Sequence, residues 1–276
     1  MKVAGSDMLM RPQEPREAVR EKFTLGKLDL LGSGYVVCPP EWQVDEEGSV
    51  FHRVYYVYGG EAVYRSSVEE FALRPLTLHV FPCLFPYQIR HQPDHPLDCL
   101  WFHLTTVPAI LDDRVMRITA EDAPTVHHLC QALRSAVENR ELEGSVLQVL
   151  CESVFLLLGA RSLFLHSGDE RFATILAYMH DHHAEPLTDA CLAARIGFNE
   201  KYFIRLFRKT LRIAPQQYLA CYRYKKAGRY LQQGISIRET ADLIGFGDAK
   251  SFSRFFKRYA GVCPSEYRGN SGLWRY

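Results

Sequence analysis

The sequence predicts an α+β multidomain chain: a small β-barrel or sandwich, a helical segment, and an all-α end. Three observations predict it. Apolar residues alternate in short runs up to about residue 108, and beyond it the apolar spacing becomes helical. The last hundred residues then carry one pattern twice, "IGFNEKYFIRLFRK" at 196–209 and "IGFGDAKSFSRFFKR" at 244–258. At 276 residues the chain is long enough for two modest domains with separate cores.

Residues 1–22 are polar and carry Pro12 and Pro15, which predicts a flexible arm. From Phe23 to about Pro108 the runs are rich in Val, Tyr, Phe and Thr and bounded by turn residues. "FHRVYYVYGGEAVYR" predicts a hairpin turning at Gly59 and Gly60, and "LTLHVFP" and "LDCLWFHL" predict further strands. Alternation in the last of these places Cys99, Trp101 and His103 on one face. Two helices follow, "DAPTVHHLCQALRSAVENRELE" and "GSVLQVLCESVFLLLGARSLFL", joined near Glu143 and Gly144. In the second, Leu147, Leu150, Cys151, Val154 and Leu158 share a side, yet Val149, Phe155, Leu156 and Leu157 are apolar too. Such a helix wants burial all round, between domains or against a second subunit. "HSGDE" at 166–170 predicts a hinge.

Beyond the hinge everything reads as helix. "ERFATILAYMHDHH" is one, "LTDACLAARIG" begins a second with Thr188 as its cap, and "NEKYFIRLFRK" starts at Asn199. A longer helix follows Pro215 and stops near Gly234. "SIRETADLIG" and "DAKSFSRFFKRY" then repeat the second and third elements, with Ser236 and Asp248 as N-caps. The expected division is 1–110, 111–168 and 169–276.

Charge is split along the chain. Residues 1–170 carry a net −9 and residues 171–276 a net +10, summing to the overall +1. An acidic body with a basic end points to a polyanionic partner, the alternative being two halves that attract each other. The eight cysteines form no C-x-x-C pair, and several sit in apolar runs, as Cys151 does. They read as buried free thiols in a reducing cytoplasm. The N-terminus has no signal-peptide core, and the most apolar window, 146–158, is too short for a bilayer and holds Gln148 and Glu152. The expectation is a cytoplasmic protein with no membrane partner.

The two copies align position by position. Ala193, Ile196, Gly197 and Phe198 match Ala241, Ile244, Gly245 and Phe246; Phe203, Arg205, Phe207, Pro215 and Tyr218 match Phe252, Arg254, Phe256, Pro264 and Tyr267. Gly197 and Gly245 fall where a short helix must stop and turn, which favours φ > 0. Phe203, Leu206 and Phe207, with Phe252, Phe255 and Phe256, form packed backs. On the fronts lie Lys201, Ile204, Arg205 and Arg208, and in the second copy Lys250, Ser253, Arg254 and Lys257. A short helix with an aromatic back and a basic front is the recognition helix of a helix-turn-helix.

Residues 170–268 thus resemble the DNA-binding domain of the AraC/XylS family of bacterial transcription regulators. The resemblance is most specific in "A-x-x-I-G-F" at Ala241–Phe246 and "SFSRFFKRYAGVCPSEYR" at Ser251–Arg268. It implies two helix-turn-helix units, joined by the helix at 215–233, entering successive major-groove segments about one helical turn apart. One departure stands out: where the second copy has Gly261 the first has Arg212, which in a left-handed conformation costs roughly 1 kcal/mol. The resemblance implies base contacts from Lys201, Ile204, Arg205, Lys250, Ser253 and Arg254. Arg205 and Arg254 are suited to guanine O6/N7 and Ile204 to apolar contact such as a thymine methyl. Arg208, Lys209, Lys257 and Arg258 are expected on phosphates.

The family's usual N-terminal half is a cupin-like β-barrel that binds a small effector, followed by dimerisation helices. Residues 23–108 resemble it loosely through "FALRPLTLHVFPCLFPYQI" and "WFHL", although Leu76-Thr77 and Tyr87 depart from its pattern. The resemblance implies promoter DNA, a small-molecule effector (a sugar or small organic acid), RNA polymerase and a second copy of the chain as partners. Trp101 and His103, with Arg53 and Tyr55, are candidates to line an effector pocket; alternatively Trp101 and Tyr55 simply fill the barrel. The histidine spacing of a metal cupin is missing, and His180, His182 and His183 in "HDHH" read as a helix end complementing its dipole. No serine-nucleophile motif, phosphate loop or paired carboxylates are present, so no cofactor, metal or catalytic residue is expected. Two alternatives remain: a metal-dependent cupin enzyme with a helical appendage, and a DNA-binding regulator that needs no ligand.

Overall fold

The computed structural model describes residues 27–107, 114–139, 144–160 and 170–269. The expected N-terminal arm and most of the expected hinge lie outside these residues. The strands form two antiparallel sheets. In the first, β1 (Lys27–Val37), β8 (Asp98–Val107), β3 (His52–Gly59), β6 (Thr77–Val80) and β9 (Met116–Thr119) lie in that order. In the second the order is β2 (Gln43–Glu46), β7 (Tyr87–His91), β4 (Ala62–Ser66) and β5 (Glu70–Leu73).

Period-two alternation decides the layers. From β8, Cys99 and Trp101 point into the core between the sheets, with Tyr55, Val57, Tyr64, Phe81 and Ile89. Leu100, Phe102 and Leu104 point the other way, with Val54 and Tyr56, against two helices. These are α1 (Pro124–Glu138), opened by a proline in its first turn, and α2 (Gly144–Ala160). The first sheet is therefore covered on both faces, which is why nearly every residue of β3 is buried. Within α2, Cys151, Val154, Phe155 and Leu158 are buried in this core. Val149 and Leu156 stay 58% and 54% exposed, so the helix is not enclosed all round within one chain.

The expected hairpin at Gly59 and Gly60 does not form. β3 pairs with β6 and β8, whereas β4 pairs with β5 and β7. β3 and β4, consecutive in the chain, thus belong to opposite sheets, and the glycine pair is a corner between layers. Gly60 has φ +84° and sits so close to Pro96 that a Cβ would stand 2.1 Å from its carbonyl oxygen.

The C-terminal region is all helix: α3 (Glu170–Asp181), α4 (Asp189–Arg195), α5 (Glu200–Leu211), α6 (Pro215–Gln232), α7 (Ile237–Leu243), α8 (Ala249–Ala260) and α9 (Pro264–Gly269). Two aromatic cores organise it. The first joins Ile175, Leu176 and Met179 of α3 to Leu192, Phe203, Phe207, Tyr218 and Leu219. The second joins Ala227 and Leu231 to Ala241, Ile244, Phe252, Phe256 and Tyr267. Helix α6 feeds both, and between them its Tyr222 packs on Leu31 and Phe51 of the β body.

The corner generates a paired prediction. Gly60→Ala combines a left-handed φ with a backbone clash and is expected to cost about 1–3 kcal/mol. Gly59→Ala, with nothing within 4 Å of its added Cβ, is expected to stay within about 0.5 kcal/mol. Urea denaturation of the two variants checks this; equal midpoints would refute the corner.

Candidate nucleic-acid interface

Each helix-turn-helix unit is built by local rules the sequence states. Thr188, Asn199, Ser236 and Asp248 all cap as expected, accepting from the backbone N–H of Cys191, Tyr202, Glu239 and Ser251 at 3.2, 2.9, 3.2 and 2.8 Å. The tight turns fall at Gly197 and Gly245, with φ +72° and +83°. At Gly245 a Cβ would lie 1.9 Å from the carbonyl oxygen of Ala184, so the second unit's turn abuts the loop after α3. Arg212 does adopt the left-handed conformation, φ 57°, as Gly261 does at 74°. Its guanidinium carbon lies 4.9 Å from the Phe85 ring centroid, so it meets the β body.

The packed backs are as expected for Phe203, Phe207, Phe252 and Phe256, all fully buried, while Leu206 and Phe255 are half-buried. The fronts carry exposed Lys201, Arg205, Arg208 and Lys209 on α5 and exposed Lys250, Arg254, Lys257 and Arg258 on α8. The remaining two candidates are placed differently. Ile204 is half-buried against the first core, and the Ser253 hydroxyl donates back to the Ala249 carbonyl at 2.7 Å. Tyr202 was not singled out by the sequence. It is 38% exposed at the start of α5, with the Arg205 guanidinium carbon 5.4 Å from its ring centroid. The second copy has Ser251 at this position, and that mismatch was the available signal.

Residues 192–270, from within α4 to the end of α9, match the family described as Helix-turn-helix domain. The C-terminal region is a helix-turn-helix domain. The transcriptional activator RhaS of Citrobacter koseri is 31% identical over 134 residues, 48% of this chain and 46% of that protein. The raffinose operon regulatory protein RafR of Pediococcus pentosaceus is 29% identical over 105 residues, 38% of each. The chain therefore spans less than half the length of these curated relatives. In overall fold it is similar to ToxT of Vibrio cholerae O395, with a TM-score of 0.58 at 11% identity, covering 87% of this chain and 98% of that one.

The helix-turn-helix domain is docked on the body through the back of α6. Asp29 of β1 accepts from the Tyr222 hydroxyl at 2.7 Å and from Lys226 at 3.5 Å, with Lys27 and His180 each 3.7 Å away. Burial alone would raise its pKa, but Lys226, the Tyr222 hydrogen bond, Lys27 and His180 together hold it below the usual carboxylate value. His180 stacks on Tyr222, ring centroids 4.2 Å apart and 3° from parallel, and its Nε2 pairs with the Tyr218 hydroxyl at 2.8 Å. Burial pushes its pKa down to about 3, so it is a neutral core residue and not a charge on the helix dipole. His182 instead faces Glu185 at 2.7 Å, and His183 Nδ1 lies 2.8 Å from the His180 carbonyl. Among the described residues no three His, Cys, Asp or Glu side chains converge as a metal site would. Nor is any described helix long and apolar enough to cross a membrane.

The four effector candidates lie close together. Trp101 and His103 are neighbours on one face of β8, ring centroids 5.0 Å apart, and Tyr55 is buried beside Trp101 in the inter-sheet core. Trp101 also lies across Gly34, where a Cβ would come within 2.6 Å of the indole. Arg53 donates through Nε and Nη2 to Glu46 at 3.1 and 2.9 Å, and through Nη1 to His103 Nε2 at 3.0 Å. Burial alone would raise the Glu46 pKa, but Arg53 and bonds from Ser49 and Gly48 lower it. The guanidinium is thus already matched to an internal carboxylate.

Lys225 of α6 approaches the same cluster, its Nζ 4.2 Å from the Phe51 ring centroid. Burial, then the Arg53 charge, pushes its pKa down to about 7 against the support of Glu46 and Cys221. A lysine with a folded pKa this low loses its proton in the folded state first. From pH 7 upward the unfolded chain binds the extra proton, so stability rises with pH, by at most about 1.4 kcal/mol per unit. Thermal melts between pH 7 and about 7.5, about a unit below the pKa of unfolded thiols, are expected to show a rising midpoint in the wild type. Lys225→Met is expected to melt higher at pH 7 and to flatten that slope; an unchanged slope would refute the assignment.

Proposed function

We propose that the chain is a sequence-specific, DNA-binding transcription regulator controlled through its N-terminal body. The observation that carries this reading is the duplicated unit itself: the same caps, the same left-handed turns and the same aromatic back, each time behind an exposed basic front. Charge held at one face in two registers suits a duplex whose phosphates and major-groove edges recur with the helical repeat.

In this reading Arg205 and Arg254 contact guanines, Lys201 and Lys250 assist at base edges, and Ser253 and Ile204 sit at the margins of the contact. Arg208, Lys209, Lys257 and Arg258 hold phosphates and give the affinity its salt dependence. The work divides at 1–110 for effector sensing, 111–168 for dimerisation and 169–276 for reading DNA, with RNA polymerase as the downstream partner in the cytoplasm. The exposed Val149 and Leu156 of α2, with Val146 at 39%, support a homodimer formed through that helix. The buried Arg53, already matched to Glu46 and His103, favours a regulatory over an enzymatic role.

In-vitro selection of DNA sites tests the reading. The wild type is expected to enrich two blocks about one helical turn apart, with Arg205→Ala relaxing one block and Arg254→Ala the other. Each lost bidentate contact is worth about 1–3 kcal/mol of discrimination. No enriched motif from the wild type, or identical motifs from both variants, would overturn it. For the dimer, Leu156→Glu is expected to shift the sedimentation of the chain from two copies to one without altering its circular dichroism.

A further inference from the structure

β1 runs along the edge of its sheet, and α2 and α6 close over that edge. Gln148 of α2 accepts from the Leu30 N–H at 3.0 Å and donates to the Leu28 carbonyl, and Arg229 of α6 donates to the Leu30 carbonyl. Just past these bonds the pairing of β1 with β8 slips between Leu30 and Gly32, and the three elements part. They leave a cleft of about 200 Å³ lined by Leu30, Gly32, Ser33, Leu147, Arg229, Gln232 and Gln233.

The chemistry of this lining is specific. Arg229 is half-buried, and among the described residues no carboxylate lies within ion-pair distance of it. Asp29, the nearest acid to influence it, is occupied by Tyr222 and Lys226. Burial is the largest influence on its pKa and lowers it, the direction that marks a cation short of a counter-charge. A guanidinium offers a planar fork matched to an oxyanion, and one fork neutralises one charge. Gln232, Gln233 and Ser33 supply amide and hydroxyl groups that both donate and accept, which suits hydroxyls on a guest. Leu30 and Leu147 give one apolar wall. The volume lies below the ~300–1,000 Å³ of drug-sized pockets, so the guest is small.

We propose that this cleft binds a small hydroxylated monocarboxylate, its carboxylate on Arg229 and its hydroxyls on Ser33, Gln232 and Gln233. The proposal deepens the regulatory reading above and rests on it for its consequence: the guest bridges β1 of the body to the C-terminal end of α6. It places the effector outside the inter-sheet core where Arg53, Tyr55, Trp101 and His103 lie.

Isothermal titration of the full chain with gluconate and galacturonate tests it, with galactose and inorganic phosphate as comparison arms. At least one of the two acids is expected to bind, galactose not to bind, and phosphate to bind at least tenfold more weakly than the acid. Arg229→Gln is expected to weaken the acid at least tenfold. Because Arg229 also holds the Leu30 carbonyl, Gln232→Ala and Ser33→Ala, checked by circular dichroism, serve as the second line and are expected to weaken it threefold or more. Failure of both acids to bind, or unchanged binding in all three variants, overturns the proposal, as does phosphate binding as tightly as the acid. The titration needs no DNA. A chain that selects DNA sites yet binds neither acid loses this inference alone, and one that binds acid but selects no DNA loses the regulatory reading.

Discussion

The free edge of β1 is the constraint on which the arrangement depends. A strand that ends a sheet presents backbone donors and acceptors that must find partners or invite another chain. Here they are met from two directions. Gln148 reaches from α2 to both Leu28 and Leu30, and Arg229 reaches from α6 to Leu30. The Asp29 side chain on the same strand then holds Tyr222 and Lys226. Sheet, body helices and helix-turn-helix domain therefore meet along one short stretch of backbone, residues 28–30.

This junction gives the charge split a second use. The acidic body and basic end do not merely suit a polyanion, because some of that charge is spent between the halves. Lys226 approaches Asp29, Lys27 pairs with Asp181 in the opposite sense, and Lys225 enters the Arg53–Glu46 cluster. The two readings of the composition are not exclusive. The fronts of α5 and α8 keep their cations exposed, while the back of α6 commits its own to the body. What separates them is helical phase: on an 18-residue helix at 3.6 residues per turn, Tyr222, Lys226 and Arg229 fall on one stripe.

Local rules were legible in the sequence, and long-range ones were not. The four caps and the glycine turns follow from residue chemistry within a few positions, while the left-handed Arg212 follows only from its alignment with Gly261 in the second copy. The two faces of β8 were legible because alternation is local too. The partner of a strand is not: alternation assigns Tyr55 and Tyr64 to inward faces without saying that β3 and β4 lie in opposite sheets, so Gly59-Gly60 read as a hairpin. His180 misled for a related reason. A histidine at a helix end reads as a dipole complement, and only the fold shows Tyr218 and Tyr222 closing over it. Asp29 and Lys225 carried no signal at all, since a lone acid between Leu28 and Leu30, or one lysine of the Lys225-Lys226 pair, reads as solvated until another element arrives.

The consequence for regulation follows from how α6 is shared. Its Tyr218 and Leu219 belong to the first aromatic core and its Ala227 and Leu231 to the second. At about 1.5 Å per residue it is a rod of roughly 27 Å that fixes the spacing of α5 and α8. Packed cores do not deform continuously, so the helix moves relative to β1 as a unit or not at all. In the proposed regulator, a guest on the body alters DNA reading only to the extent that it favours one placement of α6 over another. Groups buried wholly between the sheets have no such leverage unless they reach α6. Those on the β1 edge have it directly, because the strand and the helix are their two walls.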